Sequence, residues 1–111
     1  MSLDLALAID TGGPEPARVW GEWSCTHNVT PMWRAALPTG ESLGAFLEGK
    51  TAAEALPGLR AARAAMEDSP TRFRALQPAN GYGTYQGALE RLREVVAAAV
   101  AHPLASWEVC G

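Results

Sequence analysis

Cys25-Thr26-His27-Asn28 gathers a thiol, a hydroxyl, an imidazole and a carboxamide in four consecutive residues. Histidine serves as a base, a ligand or a proton switch near neutral pH. A cysteine two residues before it invites a Cys–His nucleophile reading, and alternate residues of a strand share a face. No third group that would orient the imidazole accompanies them. The plainer account, which the residues favour, is a histidine that hydrogen-bonds locally and fixes the turn ahead of a helix.

A second stretch, Asn80-Gly81-Tyr82-Gly83-Thr84-Tyr85, is rich in residues that tolerate left-handed backbone angles and runs into a helix. Such a turn can offer backbone N–H groups to an anion. It is neither a GxGxxG turn after a strand nor a GxxxxGK[ST] loop, and it lacks a lysine. A tight turn that docks Tyr82 and Tyr85 on the core explains it more simply. Arginines at 60, 63, 72, 74, 91 and 93 could meet phosphate or carboxylate if they converged. Glu54, Glu67, Asp68, Glu90 and Glu94 share the same segments, so a solvated face of weak ion pairs is expected. Trp20, Trp23, Trp33 and Trp107 are either core anchors or an exposed aromatic surface for a partner.

These residues belong to a chain of 111 amino acids, one domain by size, spanning 1–111. With 48% hydrophobic and 19% charged residues, the composition is that of a folded protein. The net charge is −3, and neither half carries the basic footprint of a nucleic-acid binder. Cys25 and Cys110 make no disulfide framework, and no Cys/His spacing suggests a metal. Both thiols are expected reduced, and no cofactor is implied. No leader-like segment opens the chain, and its apolar runs fall far short of the ~20 residues of a membrane span. A cytoplasmic protein is the default expectation.

The elements that must position these residues follow from periodicity. Leu3, Leu5, Leu7 and Ile9 alternate with Asp4, Ala6, Ala8 and Asp10, which predicts a half-buried strand over Leu3–Ile9. Arg18–Cys25 is a candidate second strand interrupted by Gly21. Thr26–Leu37 reads as a short helix capped by Asn28 or Thr30, the latter with Pro31 at the first helical position, and with Val29, Met32, Trp33 and Ala36 on one face. Thr39–Lys50 reads as a loop with Leu43, Phe46 and Leu47 pinned to the core. Thr51 and Glu54 form a capping box that opens a helix to about Asp68, with Ala52, Leu56, Leu59, Ala62 and Met66 as its stripe. Pro57 should kink that helix or shorten its start. Ser69-Pro70 restarts a helical piece with Phe73 and Leu76 inward. Thr84 caps a long helix whose stripe is Tyr85, Ala88, Leu89, Leu92, Val96, Ala99 and Val100, widened by Val95 and Ala98, and Pro103 stops it. Ala105–Val109 alternates again as a closing strand. The expected fold is α/β (α+β): a two- to three-stranded sheet with helices packed on one face. The first and last strands should lie in that sheet, paired with each other or with one strand between them.

Thr26-His27-Asn28 ahead of an apolar helix containing Met32, together with Pro78-Ala79-Asn80-Gly81-Tyr82-Gly83-Thr84-Tyr85-Gln86-Gly87 ahead of a long helix, resembles a family of small uncharacterised proteins of bacteriophages, prophages and bacterial genomes. The resemblance runs from about Trp23 to the final strand. An acidic residue is common in that family where Gln86 stands here, so no carboxylate role carries over to this position. The resemblance implies a phage-type accessory setting, in which small proteins bind a host protein or sequester a small molecule.

The first functional expectation is therefore a non-enzymatic binding protein acting on a protein partner, assembled as a homodimer or higher oligomer because open strand edges invite pairing. The alternative is a small-molecule or nucleotide binder using Thr26, His27, Asn28, Asn80, Gly81, Tyr82, Thr84 and Tyr85. A further alternative is a small hydrolase at Cys25 and His27. The partner reading needs exposed tryptophans or a free strand edge; the nucleotide reading needs arginines converging beside the glycine turn.

Overall fold

The computed structural model describes residues 2–26, 29–79 and 83–110; for 2–3 and 22–26 it describes the backbone. The chain runs β1 (Ser2–Ile9), β2 (Ala17–Thr26), α1 (Thr30–Ala36), α2 (Leu43–Leu47), α3 (Ala52–Asp68), α4 (Pro70–Arg74), α5 (Tyr85–Ala101) and β3 (Ser106–Cys110). It is an α+β fold: a three-stranded sheet in the order β2-β1-β3 with the helices packed on one face.

The terminal strands pair directly, antiparallel, with Leu5 opposite Val109 and Leu7 opposite Trp107. Residues directly opposite in such a pair lie on the same face. Leu5, Leu7 and Trp107 thus form the inner face and are buried, while Asp4, Ser106, Glu108 and Cys110 are exposed on the outer one. The alternation expected of β1 is only half kept, because Ala6 and Ala8 on the outer face are buried too. Their short side chains sit on the central strand, beneath the Arg18–Glu108 ion pair that crosses from β2 to β3.

Gly21 does not end the second strand, which runs to Thr26. It sits where the register shifts: Leu5 faces Trp23, Ala6 faces Gly21, and Glu22 is the extra residue. A Cβ at Gly21 would lie 2.6 Å from the Cα of Ala6, and its φ of 136° suits glycine. The glycine therefore permits a bulge where the strands approach most closely.

The short helix begins later than expected. Thr30 is its first residue, Val29 occupies the cap position without a side-chain bond, and Asn28 lies outside the described residues. The predicted face is kept, with Val29, Met32, Trp33 and Ala36 all buried. The segment read as a loop contains α2. Ser42 Oγ accepts from Ala45 N at 3.3 Å and starts five residues of helix that bury Leu43, Phe46 and Leu47.

The capping box of α3 is present: Glu54 N donates to Thr51 Oγ1 at 3.2 Å and Thr51 N donates to Glu54 Oε1 at 2.9 Å. Pro57 lies inside the helix and does not shorten its start. The buried stripe is Ala52, Ala55, Leu59, Ala62 and Met66, with Leu56 at its half-buried margin rather than in its centre. Phe73 of α4 is buried, but Leu76 falls beyond the helix and is 38% exposed. In α5 the buried set includes Val95, Val96, Ala98 and Ala99, and Val100 turns outward at 52% exposure. Helix α5 is covered chiefly by α3, and by α1 and α4 as well, so a residue one position past the stripe returns to solvent.

The segment after α2 bonds to one sheet edge at the start of β3. Trp107 N donates to Lys50 O at 3.0 Å, Ala52 N to Ala105 O at 2.8 Å, and Thr51 bridges Ser106. This ties the start of α3 to β3, on the side of the sheet away from β2.

Candidate functional site

Of the residues singled out for binding, His27, Asn28, Asn80, Gly81 and Tyr82 lie outside the described residues. Thr26 ends β2, where its backbone pairs with Ser2. The approach of Thr26–Asn28 to the glycine turn, and the Cys25–His27 nucleophile reading, both fall on residues or side chains outside that range.

Thr84 and Tyr85 are described, and internal contacts engage both. Thr84 caps α5 as expected, its Oγ1 accepting from Gly87 N at 2.9 Å. Gln77 lies eight residues earlier in the chain and reaches forward, its Oε1 accepting from Tyr85 N at 2.8 Å. Tyr85 is buried, and its hydroxyl donates to Met66 O at 2.6 Å, pinning α5 to the last turn of α3. The Arg74 guanidinium stands 5.2 Å from the Tyr85 ring centre, within cation–π range. Two N–H groups of the first turn of α5 are thus taken by protein oxygens, and those donors are spent for an anion. Gln77 was missed in the sequence reading; a glutamine ahead of a glycine turn carries no motif that marks it as a cap.

Helix α1 packs on the same end of α5, since Trp33 Nε1 donates to Ala88 O at 3.2 Å. The arginines form no convergent cluster there. Arg63 and Arg93 both engage Glu67, at 3.4 and 2.9 Å, and Arg91 pairs with Glu94 at 3.1 Å. Arg72 lies 5.0 Å over the Phe73 ring. This is the solvated, ion-paired face expected of mixed charge on helices, with little net energy per pair.

Trp33 and Trp107 are core residues, and Trp20 is half-buried, edge-on to Trp107 with ring centres 5.9 Å apart. The indole Nε1 of Trp107 is buried without a hydrogen-bond acceptor among the described residues. On the outer face of the sheet, Asp4, Ala6, Arg18, Glu108 and Cys110 line a shallow depression of about 380 Å³. Its charged groups are exposed, and Arg18 and Glu108 meet at 3.4 Å. Period-two alternation places these residues on one face, but only the strand order brings β2 and β3 to opposite sides of β1.

The carboxyl of Glu54 has a displaced pKa. Glu54 is held below the usual carboxylate range by the backbone N–H of Thr51, then by the Thr51 side chain and the charge of Lys50. Its role is the capping box.

Among the described residues, no group of three or more His, Cys, Asp or Glu side chains is arranged to hold a metal, and no helix is long and apolar enough to cross a membrane. No family model matches the chain, and no curated protein or solved structure shows significant similarity to it.

Proposed function

We propose that this chain is a non-enzymatic binding protein that engages a protein partner and assembles as a homodimer or higher oligomer, in the phage-type accessory setting that its resemblance implies. The observation that supports this is the outer edge of β2. The sheet order is β2-β1-β3, and Lys50–Ala52 bonds to the far edge of β3 at its start, from Ala105 to Trp107. Strand β2 is ten residues long and pairs with β1 alone among the described strands. An edge strand can add a further strand through its backbone. The half-buried Val19 and Trp20 add apolar surface, lining a depression of about 250 Å³ with Arg18 and Gly21. The two register shifts twist the strand, which disfavours indiscriminate flat stacking and suits a partner that follows the same twist.

The small-molecule alternative draws less support. It needs several arginines converging beside the glycine turn; Arg74 stands over the Tyr85 ring there, but Arg63 and Arg93 converge on Glu67 and the described half of the turn bonds internally.

Native mass spectrometry combined with concentration-dependent hydrogen exchange tests the reading. The expected outcome is a dimeric or larger mass at high micromolar concentration, with exchange of the β2 amides slowing as the complex fills. A monomer whose β2 exchange is independent of concentration would overturn the oligomer and remove the main support for edge binding.

A further inference from the structure

We draw no further inference here: the strongest candidate, the exposed apolar surface patch of Ala97, Val100, Ala101 and Leu104 at the C-terminal end of α5, is an unpartnered face, and nothing in the structure shows what covers it.

Discussion

At the scale of single residues, two tryptophans that look alike in sequence carry different energetic roles. Trp33 donates its indole N–H to Ala88 O, while the N–H of Trp107 is buried without an acceptor among the described residues. A buried donor left unmade costs about 1–3 kcal/mol. Replacing Trp107 by phenylalanine removes that penalty along with some packing, so Trp107→Phe should be near neutral. Trp33→Phe loses packing and a satisfied bond and should cost about 2–3 kcal/mol. Urea denaturation of both variants gives the comparison, and a larger loss at Trp107 would mean that its indole has a partner after all. Gly58 offers a second contrast. Glycine within a helix is ordinarily improved by alanine, by roughly 1 kcal/mol. Here a Cβ would lie 2.3 Å from the Cζ of Phe46, so the α2 ring rests against the backbone of α3. Gly58→Ala should destabilise by about 1–3 kcal/mol through overpacking. In the Phe46→Leu background that penalty should shrink or reverse; a stabilising effect in the parent chain would contradict the contact.

At the scale of elements, helix starts carry much of the local information. The Thr51/Glu54 box was readable because both partners lie within four residues and each satisfies the other's backbone N–H. Thr51→Ala should cost about 1 kcal/mol. The lowered pKa of Glu54 adds a pH signature. A carboxyl whose pKa folding depresses contributes stability above its unfolded pKa, and that contribution fades as pH falls through the folded value. Melting temperature followed from neutral pH into the acid range should therefore show a shallower acid limb in Glu54→Gln than in the parent. An identical limb in both would show that the box is absent in solution. Helix α2 began just as locally, at Ser42 with Leu43, Phe46 and Leu47 at helical spacing. Five residues do not distinguish a helical turn from a pinned loop until a core holds them.

At the scale of the whole molecule, strand order decides what the two cysteines can do. Cys25 pairs with Leu3 and Cys110 with Asp4, on opposite sides of β1. Two strand spacings separate such positions by about 10 Å, beyond the roughly 7 Å that a disulfide spans between Cα atoms. Intact mass under non-reducing conditions should show a single chain with both thiols available to alkylation after unfolding. A chain lighter by two hydrogens would place the strands in another order.

What the amino-acid sequence determined by itself was local. Alternation marked β1 and β3, and capping residues set the starts of α3 and α5; the face of α1, and that of α5 except Val100, followed from apolar spacing. Each rests on contacts within a few residues, where side-chain type and backbone geometry suffice. The extent of β2 past Gly21 required the neighbouring Ala6, since the bulge exists only where two strands meet. The capping of Tyr85 N by Gln77 and the pinning of its hydroxyl to Met66 needed residues 8 and 19 positions away. Burial of Ala6 and Ala8 needed β2 and β3 on both sides of β1. The same placement bonds Lys50–Ala52 to the start of β3 at one edge of the sheet and leaves β2, among the described strands, paired with β1 alone at the other. Hydrogen bonding between strands has no sequence-local signature, so only the tertiary structure decided which strands lie at the sheet edges.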